Sequence, residues 1–375
     1  MGIDYLQVRN QNLETIGIID TANSIIWNKK YYGCGEFEIY MHASVENVNL
    51  LQRGYYVTRL NDDEVGVIEK FEVSENPQDG RMVVATGRFA KSILERRIIY
   101  RLAGKQNRAT VLQGNVESAA RALVANNCTY CTWNTNRNIP ILQLGAHSGS
   151  TQIIVDGSGN PTKKQVTNDN LLTYTDALLQ EYSMSAKIVL SDDESKLEYV
   201  CFQGIDRSMN NSSGIDSVIF STDFQNLAES KYTSDDYNLK NMALIGGEGE
   251  GLDRFYSSIE GAKTGLARRE LFINASNIQR TYTDDNDEEQ TYTDAEYKAM
   301  LDSRGKLKLA QMIEVESFSG TINTSFGNWL LNRDYEIGDI VTVQNNDIGI
   351  YANVRIVETT EVQDENGYTI SVSFE

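Results

Sequence analysis

The chain has 375 residues, with 34 Lys or Arg against 53 Asp or Glu, for a formal charge of −19. So acidic a chain lacks the basic surface that phosphate neutralisation or docking on anionic membranes requires. No run of about 18 apolar residues occurs, so no transmembrane helix is expected; Met1-Gly2-Ile3-Asp4-Tyr5-Leu6 has no signal-peptide character, and Leu6 stands where a myristoylation site needs Ser or Thr.

The first hundred residues predict short strands. Ile16–Ile19, Ser24–Trp27, Glu36–Tyr40, Tyr55–Leu60, Val65–Ile68, Phe71–Val73 and Arg81–Thr86 are rich in β-branched and aromatic residues. Gly33-Cys34-Gly35, Asn61-Asp62-Asp63 and Asn76-Pro77-Gln78-Asp79-Gly80 separate them as turns. That spacing suggests a small antiparallel barrel or sandwich. A short helical pattern follows from Phe89 through Ile93 to Arg97. A second holds Val116, Ala119, Ala120, Leu123 and Val124 behind Asn115 as N-cap.

Residues 126–165 are rich in Asn, Gly, Ser and Thr and predict loops around one or two edge strands. An amphipathic helix is expected over Asp169–Tyr182, then a hairpin of Ser185–Leu190 and Leu197–Phe202 across residues 191–194. Further strands are expected at Val218–Phe220, Met242–Ile245 and Arg269–Ile273. Thr293-Asp294-Ala295-Glu296 has capping-box spacing and opens a helix toward Met312, with Gly305 as its weak point. The end is β again: Ile313–Phe318, Ile340–Val343, Tyr351–Glu358 and Tyr368–Phe374. The expected class is mostly β with inserted helices (α+β), the helices separating two β regions. There is no tandem repeat.

Motifs that carry chemistry are scarce. The chain has two His, His42 and His147, which disfavours His-based metal sites and Ser-His-Asp catalysis. Cys128-Thr129-Tyr130-Cys131 is a lone CxxC after a helix; zinc needs four ligands, and no partner motif exists. It reads as two loop cysteines, with a local redox pair as the other option. Gly246-Gly247-Glu248-Gly249-Glu250-Gly251 follows a strand as a phosphate loop would, but its two Glu would repel phosphate. It is expected to be a flexible or tightly packed glycine loop. The acidic run Asp284–Glu289 lacks the EF-hand glycine and glutamate. Among 53 acidic residues no carboxylate pair stands out as a hydrolase site. No cofactor, metal or catalytic residue is assigned. Lys29-Lys30, Arg96-Arg97 and Arg268-Arg269 are local basic clusters that either meet acidic patches of a neighbouring subunit or form ordinary ion pairs.

The order of the segments carries more than any one motif. Ile25-Ile26-Trp27, Tyr31, Gly33, Gly35 and Phe37-Glu38-Ile39 come first. Gly66-Val67-Ile68-Glu69, Gly87-Arg88, Leu94 and Arg96-Arg97 follow. Then come Gly204-Ile205-Asp206-Arg207-Ser208, Val218–Ser221, Asn226-Leu227, Asn241-Met242-Ala243, Gly246 and Arg268-Arg269-Glu270. Tyr335-Glu336-Ile337-Gly338-Asp339-Ile340-Val341 comes last. In this order, over nearly the whole chain, the segments resemble the phage tail hub or baseplate hub family: the tail-hub module of siphophages, similar to the central baseplate hub of myophages.

The resemblance implies two tube-like antiparallel β-barrel domains plus smaller mixed domains. On the sequence these divide as 1–100, first barrel; 101–182, helix-containing insertion; 183–280, second β-rich tube-like domain; 281–312, acidic loop and helix; and 313–375, a β segment completing the barrels. It implies a non-enzymatic structural hub, a homotrimer whose ring adapts the sixfold tail tube to a threefold tip and lets DNA pass. The tail tube or distal tail protein would lie above it and a tip, spike or fibre protein below. The resemblance also implies a place in the virion tail after assembly in the host cytoplasm, without membrane insertion by this chain. In family members with lytic activity that activity lies in an added C-terminal domain, and this chain ends at Glu375 right after a β segment. An acidic ring lumen would repel DNA rather than hold it. Candidate assembly contacts are Trp27 and Phe37 of the opening hairpin and the pairs Arg96, Arg97 and Arg268, Arg269. Two other readings stay open: a receptor- or carbohydrate-binding tip module using Trp27, Trp133, Trp329 and the 20 Tyr, and a cell-wall hydrolase.

Overall fold

A computed structural model describes residues 2–3, 5–77, 80–100, 110–156, 159–283, 288–312, 315–322 and 329–375. The chain is mostly β, with few helices. It forms two compact units, each assembled from separated stretches. One takes Met1–Ser92, Ser185–Thr233 and Glu316–Glu375; the other takes Ile93–Met184 and Ser234–Val315. These units cut across the five consecutive segments expected from the sequence, because strands hundreds of residues apart pair with one another.

The first unit opens with β1 (Leu6–Arg9), β2 (Thr15–Ile19), β3 (Ser24–Lys30), β4 (Glu36–His42), the short helix α1 (Val45–Leu50), β5 (Tyr56–Arg59), β6 (Gly66–Asn76) and β7 (Gly80–Phe89). The period-2 alternation works as a strand requires. β3 buries Ile25, Trp27 and Lys29 on one face, and β4 buries Phe37, Ile39 and Met41. Trp27 lies directly opposite Phe37 in the β3–β4 register. Their rings are 5.6 Å apart, and Phe89 meets Trp27 edge-on at 5.0 Å. These side chains centre a core that also holds Leu6, Val8, Val57 and Ile68.

Two of the expected strands, 65–68 and 71–73, are one. β6 runs without a break against β7, and a bulge between Ile68 and Lys70 absorbs the change of phase that split them in the sequence. At this bulge the Val67 carbonyl closes on Gly87, where a Cβ would sit 1.8 Å from the oxygen. The expected 185–202 hairpin is present, with Ser185 paired to Phe202 and Leu190 to Leu197.

A second core in the same unit gathers Tyr31, Phe220, Phe318, Tyr335, Val341, Ile356 and Phe374. One long strand, Ile350–Asp364, serves both cores. It is twice the length that the sequence pattern suggests. Its first half pairs with Ile340–Asn345, and its second half pairs with Gly367–Phe374 on one side and β3 on the other. The sheet order is therefore 227–235, 315–322, 367–374, 350–364, β3, β4, β7, β6, β5, β1, β2, with 340–345 branching from 350–364 and 219–221 pairing in parallel with 340–345. Among the described residues the two ends do not pair with each other. Among the described residues, two cores share one largely antiparallel sheet, because the strand 350–364 continues hydrogen bonding from one core to the next, and no closed barrel is found there.

Among the described residues, the second unit contains the three longer α-helices. α2 (Val116–Val124) and α3 (Leu171–Gln180) start on Asn115 and Asn170, whose side chains accept from the backbone N–H of Ser118 (2.8 Å) and Thr173 (3.2 Å). α4 (Asp294–Leu309) carries the expected capping box: Thr293 accepts from Glu296 N–H at 3.3 Å, and Glu296 accepts from Thr293 N–H at 2.9 Å. Tyr297, Met300 and Leu301 of α4 pack on Ala243, Ile245 and Ile273 of a three-stranded sheet formed by 256–259, 242–246 and 270–274. Gly305 proves to be a packing residue, since a Cβ there would lie 2.5 Å from Ile259 Cδ1. The helical pattern at 89–97 is a 3-10 turn, Ala90–Arg96.

The close approach at the bulge gives a direct test. Gly87→Ala should destabilise the first unit by about 1–3 kcal/mol, the usual cost of forcing extra volume into a packed site. Urea melts of the variant and the parent measure it.

Candidate functional site

In the first unit a chain of buried charges lies where the two cores meet. The inward phase of β3 carries Lys29 to the core side, two residues after Trp27, where an amine must find an anion. It finds Asp62, whose Oδ2 lies 3.2 Å from Lys29 Nζ and 3.2 Å from Arg59 Nε. Trp27 Nε1 donates to the same oxygen at 3.0 Å, and Glu64 N–H donates to Oδ1 at 3.1 Å. Arg59 also forms a two-pronged pair with Glu361, at 2.6 and 3.1 Å, and its guanidinium lies 5.5 Å over the Trp27 ring. Tyr368 donates its hydroxyl to Glu361.

Burial alone would depress Lys29, but Asp62, Glu64 and Asp63 together outweigh it and the amine's pKa is raised. Burial likewise opposes ionisation of Asp62, yet Lys29 and Arg59 outweigh it and hold the carboxyl below the usual range. Glu64 sits beside this chain with no such pairing, and burial pushes its carboxyl up to about 7. The chemistry available here is charge storage and clamping. Trp27 supplies apolar surface beside the charges.

The second core is fastened through the Gly338-Asp339 dipeptide. Asp339, itself buried, accepts from Ile205 N–H (2.7 Å), Glu336 N–H (3.0 Å) and Arg207 Nε (2.8 Å). Gly338 has φ +93°, a left-handed conformation that favours glycine. Its carbonyl touches Gly204 so closely that a Cβ on Gly204 would lie 1.8 Å away. Two segments singled out in the sequence, 204–208 and 335–341, are thus one structural clamp.

The sequence-derived contact residues take different places. Trp27 and Phe37 are not surface contacts; both are fully buried at the centre of the first core. Arg268 bridges Glu260 (2.7 Å) and Glu270 (2.6 Å), and Arg269 pairs with Asp236, all within the second unit. Both arginines are thus paired within their own unit. Arg97 donates to the Arg137 and Arg96 carbonyls at 3.0 Å each, while Arg96 is exposed. Trp27 and Phe37 belong to the first unit and the four arginines to the second.

The other motifs resolve simply. Cys128 and Cys131 are buried free thiols, and burial pushes Cys128 up to about 12, too high for ready thiolate chemistry. The 246–251 loop is packed only at its start: Gly246 and Gly247 are buried while 248–251 are exposed, and Tyr297 accepts from Glu248 N–H at 2.8 Å while Glu248 accepts from Arg280 N–H at 2.7 Å. Residues 284–287 of the acidic run lie outside the described residues. Of the three tryptophans, Trp329 packs on the second core and donates to the Ile219 carbonyl at 3.3 Å. Trp133 stacks on Tyr100 at 4.6 Å beneath Arg137. The Asp62 chain was missed because its signal is a single lysine in the buried phase of a strand.

Residues 5–374 match the family described as siphovirus ReqiPepy6 Gp37-like protein. The chain belongs to that family. Its fold is that of phage tail proteins. It aligns with the tail protein from Neisseria meningitidis MC58 at TM-score 0.57 and 13% identity, covering 100% of this chain and 96% of that one. It aligns with the 43 kDa tail protein of prophage MuSo2 from Shewanella oneidensis at TM-score 0.56 and 12% identity, covering 99% and 98%. No curated protein matches it by sequence. The resemblance to phage tail proteins, drawn from the order of the motifs, agrees with this match.

In this Gp37-like chain the buried charges should be costly to disturb. Asp62→Asn should lose about 3–5 kcal/mol at neutral pH, because two buried cations lose a shared anion. Asp62 has a depressed folded pKa, so its contribution is present above the ordinary 3.8 and is lost as pH falls through the folded value. The gap between variant and parent in urea melts should therefore shrink on acidification.

Proposed function

We propose that this chain is the structural hub of a phage tail or phage-tail-like particle and works without catalysis. Three copies form a ring that adapts the sixfold tail tube to a threefold tip and leaves a passage for DNA. The observation that carries this reading is the pair of hydrophobic cores strung on one sheet in a single chain. Three such chains present six similar β modules around an axis, which is the arithmetic a six-to-three adaptor needs.

The electrostatics favour the same reading. With a charge of −19, a ring wall would repel a passing nucleic acid instead of holding it. The tail tube is the partner above and a tip, spike or fibre protein the partner below. Membership in a tail-protein family supports a place in the virion tail. The described residues hold no cluster of three or more His, Cys, Asp or Glu able to bind a metal, and Lys29, Arg59, Asp62 and Glu361 are spent on internal pairs.

Native mass measurement with negative-stain microscopy of the purified chain tests this. Three copies of the 42.1 kDa chain should give a species of about 126 kDa with a threefold outline and a central hole. A chain that stays monomeric with the tube protein and the tip protein both present would overturn the ring.

A further inference from the structure

Glu64 is the one member of the charged cluster that the hub reading leaves without a task. It is 7% exposed, and among the described residues no hydrogen bond or ion pair reaches its carboxylate. It lines a cavity of 360 Å³ together with Lys29, Asp62, Asp63, Lys187, Asn332 and Glu336. Its backbone cannot swing away easily. Glu64 forms a bridge with Val189, and its N–H is held by Asp62.

This cavity lies at the seam between the two cores of the first unit. The 61–64 turn belongs to the first core's strands. Asn332 flanks the second core, donates to the Asn61 carbonyl at 3.0 Å and accepts from Lys29 at 3.2 Å. Lys187, on the 185–190 strand, pairs with Asp63. A carboxylate placed here must be neutral, or must draw water or a cation into the seam.

The charges facing it come from every element packed around it. Asp62 and Asp63 on its own turn repel its ionised form. Lys29 on β3 and Lys187 on the 185–190 strand attract it. Glu336 lies across the cavity. Arg59 on β5 and Glu361 on the 350–364 strand are occupied with each other and with Asp62. Lys29 is likewise spent on Asp62 and Asn332, so the attraction is already committed.

We propose that Glu64 makes this seam a proton-controlled latch: protonated, it lets the 61–64 turn stay clamped to the 185–190 strand and to Asn332, and ionised, it loosens that clamp. The sign follows from linkage. The carboxyl is raised to about 7 in the closed state, against an ordinary value of 4.5. The closed state thus holds a proton that an opened, solvated Glu64 releases. Opening is favoured as pH rises from about 5 to about 7 and levels off above that. Asp62 is held below this window and Lys29 above it, so neither supplies the same response. The latch belongs to a single chain and does not depend on the ring.

Hydrogen exchange on the full chain tests it, with each amide corrected for the intrinsic pH dependence of its exchange. Amides of residues 61–65 and 187–190 should open at least about tenfold more between pH 5 and pH 7, with little change from pH 7 to pH 8. Glu64→Gln should flatten that response and leave the seam closed. Native mass at each pH reports the oligomeric state separately, so a failed ring and a failed latch are distinguishable. A flat wild-type profile from pH 5 to pH 8 overturns the proposal whether or not the variant folds. A Glu64→Gln chain that keeps the response also overturns it.

Discussion

The pairing of β3 with the strand Ile350–Asp364 is the contact on which the rest depends. It brings Trp27 opposite Glu361 across more than 300 residues of chain. Through it the apolar core around Trp27, Phe37 and Phe89 becomes continuous in sheet with the core around Phe220, Tyr335 and Phe374. Loop closure over so long a distance is entropically costly, and local turns cannot supply the compensation. Burial on both sides of the joint supplies part of it, and the charge chain fixes the register. A slip of one residue would turn Lys29 to solvent and Asn28 to the core.

That charge chain explains how an acidic protein can bury lysine and arginine safely. Asp62 serves Lys29, Arg59 and the Trp27 indole, while Glu361 serves Arg59 and Tyr368. Each partner satisfies another's desolvation, so removal of one exposes several. A buried network of this kind contributes less to net stability than to uniqueness of the joint.

The arginine pairs show the opposite behaviour. Arg268 and Arg269 are conspicuous in the sequence because they are basic residues in an acidic chain. In the fold they are neutralised by Glu260, Glu270 and Asp236 of their own unit. Their partners lie 2 to 33 positions away, so composition alone could not separate internal pairing from a subunit contact. The Gly338-Asp339 clamp was marked by its motif, but its meaning appeared only with Ile205 and Arg207 beside it.

What the sequence determined by itself was local. Caps at Asn115 and Thr293, the 185–202 hairpin, the mostly β character and the order of motifs that marks the tail-hub family all follow from short-range spacing, because capping and alternation act over a few residues. The tertiary structure alone decided the rest. It joined β6 through a bulge and extended 350–364 to twice its apparent length. It divided the chain into two discontinuous units and strung two cores of the first on one shared sheet. It also turned Trp27 and Phe37 inward, and made Lys29, Asp62 and Glu64 a cluster. The physical reason is the same in each case: strand pairing and charge compensation between distant residues depend on partners that no local pattern can name.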